Sequence, residues 1–100
     1  MTFYEDKEFL IKAINNYTIL SDNQRKILVV LVSFEQGAPS DIIMKYSGLS
    51  KQALHFAVKK LISQGVVSRE KNRVYVYKAA KVKLLEIIDF YKQQLLLEQK

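Results

Sequence analysis

The apolar residues of this chain change their spacing at Gly65 and change back after Lys78. On either side they recur at the three- and four-residue intervals of helices. Between those points, Val66-Val67-Ser68-Arg69 and Arg73-Val74-Tyr75-Val76-Tyr77-Lys78 are rich in β-branched and aromatic residues at strand spacing. Glu70-Lys71-Asn72 reads as the polar turn joining them, so the segment is a two-stranded hairpin. One hairpin set among helices makes the fold class mostly α with a β-hairpin. No repeat, linker or low-complexity stretch divides the 100 residues, which read as a single domain, 1–100.

Helix boundaries follow from caps and breakers. Thr2-x-x-Glu5 is a capping-box pattern that opens a helix over about residues 4–16, with Phe9, Leu10, Ala13, Ile14 and Tyr17 on one face and Asn15-Asn16 fraying its end. Ser21-x-x-Gln24 opens a second, in which Ile27 to Val32 and Phe34 are apolar nearly all round. The run is β-branched enough to imitate a strand, but its cap, its length of about 14 residues and the terminal Gly37 favour the central, most buried helix. Ala38-Pro39-Ser40-Asp41 starts a short third helix with proline in its first turn. Ser47-Gly48-Leu49 breaks that helix, Gly48 supplying the positive φ of a tight turn, and Ser50 caps the next, which runs from about Lys51 to Gln64. At 100° per residue, Leu54, Ala57, Val58 and Leu61 form its buried stripe, while Gln52, His55, Phe56, Lys59, Lys60 and Ser63 lie opposite. A last helix, about 80–98, repeats Leu84, Ile88, Tyr91 and Leu95 beside a second stripe of Ile87 and Phe90.

Composition removes several function classes. There is no cysteine and one histidine, so disulfide scaffolds, thiolate zinc sites and metal centres of paired imidazoles are not expected. The run ILVVLV (27–32) is far short of the ~18–20 residues that span a bilayer, and MTFYEDKEF is too acidic for a signal peptide, so the expected location is the cytoplasm, at the nucleoid. No glycine-rich phosphate loop, paired carboxylates or nucleophile with a base is visible; neither an enzyme nor a cofactor is expected. The net charge of +6 is unevenly placed. Residues 1–36 carry four cationic and five acidic side chains, residues 79–100 four and three, and residues 37–78 eight and two. The whole excess lies in the middle segment, which points to a polyanionic partner.

Helix, Ser-Gly-Leu turn, capped helix, glycine and basic hairpin, in that order, resemble the winged helix-turn-helix superfamily. The likeness is carried by Ser47, Gly48, Leu49, Ser50, Leu54, Val58, Leu61, Gly65, Val66 and Val67. With a helix pair before this motif and a long helix after it (α1-α2-α3-α4-β-β-α5), the chain looks most like small dimeric ArsR- and MarR-type regulators of bacteria, archaea or mobile elements. The resemblance implies a recognition helix at 51–64, a wing at 66–78, double-stranded DNA as partner and regulation of transcription, such as repression. The ligands of metal-sensing members are absent, so no metal response is implied.

Side-chain chemistry points the same way. A major groove accepts one α-helix, whose outward donors and acceptors read base edges. Gln52 and His55 fit that role, and Lys51 or Lys59 could donate to guanine. Ser50 places a helix N-terminus where a phosphate is favoured, and Lys60 is suited to the backbone. Phe56 could meet a thymine methyl group, pack on the third helix or dock a protein. Arg69, Lys71, Asn72 and Arg73 crowd the hairpin tip, where they have no packing role and can reach phosphates or the minor groove. Ser50 equally serves its own helix, His55 could be a solvated residue, and Tyr75 and Tyr77 are expected to pack rather than stack on bases.

A chain this small buries only about 60–65% of its unfolded surface, which favours dimerisation. The stripe of Leu84, Ile88, Tyr91 and Leu95 on the last helix, with Phe9 of the first, is expected to need a second copy to cover it. Such a homodimer would set two recognition helices about 34 Å apart, in successive major grooves. Two other readings stay open: a winged-helix protein-interaction module marked by Phe56, and a plasmid or viral replication or packaging accessory protein. A cleft between the terminal helices offers room for a small-molecule effector, to which no residue commits.

Overall fold

A computed structural model of the chain describes residues 6–98, apart from the side chain of Asn72. Five helices, α1 (Lys7–Asn15), α2 (Asp22–Val32), α3 (Ser40–Ser47), α4 (Lys51–Ser63) and α5 (Lys81–Glu98), enclose one core beside a small sheet of β1 (Ala38–Pro39), β2 (Val67–Asn72) and β3 (Val74–Ala79). The mostly helical class with a β-hairpin is observed in the expected order.

Local chemistry sets the boundaries, and several differ from those read in the sequence. α1 is capped by Asp6, whose Oδ1 accepts from Phe9 N at 3.0 Å; the pattern at Thr2 and Glu5 lies outside the described residues. Ser21 and Gln24 form the expected capping box: Gln24 N donates to Ser21 Oγ (3.3 Å) and Ser21 N to Gln24 Oε1 (2.8 Å). α2 ends at Val32 rather than running on to Gly37, since Ser33 and Phe34 turn out of it through bonds to Val30 and Leu31. Gly37 has a different task. It takes φ +95°, and a Cβ there would lie 2.4 Å from Val76 Cγ1 and 3.1 Å from Tyr77 O, so only glycine allows the chain to pass β3 this closely.

That approach explains a second correction. Ala38 and Pro39 do not begin α3. They pair antiparallel with Tyr77 and Val76, which makes the sheet three-stranded, in the order β1-β3-β2. Pro39 suits this edge position because it has no N–H to leave unpaired. The turn expected at 70–72 is strand as well: the β2–β3 ladder continues to Lys71↔Tyr75 and Asn72↔Val74, leaving Arg73 alone at the tip with φ +62°.

α2 lies at the centre as expected. Ile27, Leu28 and Leu31 are fully buried, with Ile14 of α1, Ile43 of α3, Leu54 and Leu61 of α4 and Leu84 of α5 around them. Complete burial of each such side chain is worth about 1.5–3 kcal/mol, so the helices that carry the motif rest on a shared, dry support. Gln24, the only buried polar side chain among the described residues, donates to Gln64 Oε1 at 3.1 Å and ties the start of α2 to the end of α4.

Leu84 requires a correction too, because the chain buries it completely by itself. Ile88 is half-buried on the same core, and Tyr91 meets Phe9 with ring centroids 5.3 Å apart. α1 thus meets part of the stripe that was expected to need a second copy, while Phe9, Tyr91 and Leu95 stay half-buried. The large apolar residues of α5 that stay exposed are Val82, Leu85, Leu96 and Leu97. Among the described residues no helix is long and apolar enough to cross a membrane.

Candidate nucleic-acid interface

The site is built on α4 and the β2–β3 hairpin. Gly48, at φ +75°, turns the chain between α3 and α4, and Ser50 then caps α4, its Oγ accepting from Ala53 N at 3.1 Å. The far end is closed by paired bonds, Gly65 N to Ile62 O and Val66 N to Leu61 O (2.9 Å), the pattern that lets a helix stop at glycine with an apolar contact across the stop. Leu61 and Val66 are both buried there. α4 is thus fixed at each end, and its stripe of Leu54, Ala57, Val58 and Leu61 is buried as the sequence indicates. Lys51, Gln52, His55, Phe56, Lys59 and Lys60 are exposed on the outer side.

Strand alternation divides the hairpin in the same way. Arg69 stands opposite Tyr77 and Lys71 opposite Tyr75, so these four share one face, while Glu70 points to the other. On the shared face the Arg69 guanidinium lies 4.5 Å and the Lys71 ammonium 5.0 Å from the centre of the Tyr75 ring. His55, Val58, Lys59 and Ile62 of α4 face Arg69, Tyr75 and Tyr77 across a groove of about 490 Å³. A hollow of about 430 Å³ shares His55, Tyr75 and Tyr77 with it and extends to Pro39, Ser40, Asp41 and Val74.

His55, Lys59 and Arg69 are therefore brought together at one groove, with Lys71 beside them on Tyr75. Phe56 and Lys60 turn to the other flank of α4, where Lys60 Nζ sits 5.0 Å from the Phe56 ring centre beside Ser21, the cap of α2, and Asn23 and Gln24 of its first turn. Phe56 is 58% exposed. Arg73 stands apart at the hairpin tip; the Asn72 side chain is outside the described residues. Tyr77 packs as expected, at 6% exposure, but Tyr75 is 44% exposed and carries the two cations. Sequence reasoning grouped the two tyrosines because they alternate on one strand; the register that sets Tyr75 opposite Lys71 supplies the distinction.

The electrostatics are one-sided. The two ion pairs between described residues, Arg25 with Asp22 and Lys83 with Glu86, lie outside this surface. Lys51, Lys59, Lys60, Arg69, Lys71 and Arg73 have no carboxylate partner among the described residues. Such a surface gains little from folding and can gain much from an anion.

No family model matches the chain, and no curated protein sequence matches it significantly. Two solved structures do. A protein of the thermoacidophilic archaeon Sulfolobus tokodaii aligns over 100% of both chains with a TM-score of 0.59 and 21% identity. MepR, a transcription regulator of the Staphylococcus aureus multidrug efflux pump MepA, aligns over 91% of this chain and 76% of its own with a TM-score of 0.60 and 17% identity. The fold is a winged helix-turn-helix. The β2–β3 hairpin is its wing, and α3 and α4 are its helix-turn-helix.

Proposed function

We propose that the protein is a transcription regulator that binds double-stranded DNA as a homodimer. α4 enters the major groove, presenting Gln52, His55 and Lys59 to base edges, and Lys51 and Lys60 lie at its margins toward phosphates. The wing follows the backbone with Arg69 and Lys71 and brings Arg73 to the minor groove. The observation that carries this reading is the set of cations on α4 and the wing without carboxylate partners among the described residues, all drawn from the segment 37–78 that holds the charge excess. MepR, which shares the fold, is a transcription regulator, and this agrees with the proposal.

The dimer is assigned to the terminal helices. Val82, Leu85, Leu96 and Leu97 are exposed apolar residues of α5, and the half-buried Phe9, Tyr91 and Leu95 keep surface that a second copy would cover. The reading places the protein in the cytoplasm, at the nucleoid.

Selection of bound duplexes from a random pool tests the proposal. A palindromic motif should be enriched, Lys59→Ala should relax or lose it, and Arg73→Ala should weaken binding at every sequence. No enrichment at low salt would contradict the proposal and favour protein docking.

A further inference from the structure

Tyr46, Phe56 and Tyr75 are the exposed large aromatic side chains among the described residues, on α3, α4 and the wing respectively. Each has a cation at its ring: Lys45 Nζ is 5.6 Å from the centre of Tyr46, Lys60 Nζ 5.0 Å from Phe56, and Arg69 and Lys71 lie 4.5 and 5.0 Å from Tyr75. All these pairs fall within residues 45–75, inside the segment that carries the charge excess. Among the described residues no cation is paired with the rings of Phe9 on α1, Tyr17 after it, or Phe90 and Tyr91 on α5. Those rings pair with one another, tilted or edge to face, and of the exposed three Tyr46 also meets a ring, that of Phe34 at 5.8 Å between centroids.

An exposed aromatic ring is costly in water, and an exposed lysine or arginine is mobile. Together they offset both disadvantages: the ring face attracts the cation and narrows its rotamers, while the aliphatic stem covers part of the ring. A cation held this way remains fully charged and keeps its N–H donors for a ligand. A carboxylate partner would fix it equally well but would neutralise it.

We propose that Tyr46, Phe56 and Tyr75 are positioning residues, aromatic posts that hold Lys45, Lys60, Arg69 and Lys71 in place for the phosphates of a DNA duplex. This rests on the DNA-binding reading and extends its footprint to α3, whose Lys45 and Tyr46 the sequence pattern did not single out. The rings act through the cations and do not stack on bases. Their contribution is therefore independent of sequence and lies in preset geometry, not in added charge.

The test is the affinity of the full chain for a 30-base-pair duplex of arbitrary sequence, measured by fluorescence anisotropy over a salt series, with thermal unfolding of each variant as a control for folding. Tyr75→Leu should weaken binding about 3- to 5-fold, as expected for loss of exposed cation–ring contacts, and leave the salt slope unchanged because no charge is lost. Tyr75→Phe should bind like the parent, since the ring face is retained. In an Arg69→Ala, Lys71→Ala background, Tyr75→Leu should have no further effect. Phe56→Leu and Tyr46→Leu should each reproduce the single-variant loss. The inference is overturned if folded Tyr75→Leu binds like the parent, if Tyr75→Phe loses as much as Tyr75→Leu, or if the loss persists without the two cations, which would indicate direct ring contact with DNA. Failure of the parent to bind duplex at low salt would instead remove the DNA-binding reading and this inference with it.

Discussion

Arg73 holds a backbone conformation that costs a non-glycine residue about 1–2 kcal/mol, at a hairpin tip where glycine would fit without strain. Strain kept at an exposed cation is understandable if the side chain is used. Arg73→Gly should therefore raise folding stability by about 1 kcal/mol in chemical denaturation while weakening duplex binding; opposite signs in the two measurements are the expected signature. Gly37 presents the reverse case. Alanine there must accept φ +95° and set its Cβ 2.4 Å from Val76, so Gly37→Ala should cost about 2–4 kcal/mol of unfolding free energy. From the sequence Gly37 reads as the end of a helix, whereas it lies against β3, because close approach depends on a strand about forty residues away. Tyr75 reads as a packing residue in the sequence for the same reason, although it is exposed. Its alternation was visible, but its cross-strand partner was not.

α4 was the most legible element, since everything that defines it is local. Ser50 at its start, the stripe of Leu54, Ala57, Val58 and Leu61, and Gly65 followed by an apolar residue are short-range signals that agree with one another. Its cap should be separable from binding chemistry: Ser50→Ala removes the bond to Ala53 N and should lower stability by about 1 kcal/mol, read from the denaturation midpoint. Elements defined by distant partners were less legible. β1 is two residues, Ala38 and Pro39, with no strand pattern of their own; they become a strand only because β3 arrives beside them. The turn at 70–72 was misplaced because it contains no glycine to mark the tip, and the ladder runs on to Asn72 until Arg73 alone makes the reversal. α2 ends at Val32, short of Gly37, because that glycine serves the sheet rather than the helix.

The charge excess lies within residues 37–78, on α3, α4 and the wing, whereas α5 exposes Val82, Leu85, Leu96 and Leu97 in a part of the chain that carries no such excess. The segregation of charge was readable from residue counts. The exposed side of α5 was not, because the helix is apolar on several faces and only the position of α1 decides that Leu84 is covered while Leu85 and Leu96 are left outside. If a second copy covers them, Leu85→Glu with Leu96→Glu should shift the sedimentation mass from that of two chains to that of one, with the helical signal retained. The separation of functions then predicts that this monomer still binds duplex, but more weakly and with about half the salt dependence. The most direct test of DNA recognition by this surface is the salt dependence of the parent protein on its selected palindromic duplex. With about four phosphates neutralised by each subunit, the logarithm of affinity should fall against the logarithm of salt concentration with a slope near −7. A slope shallower than about −2 would mean that the cations of α4 and the wing do not meet phosphates, and would contradict the assignment.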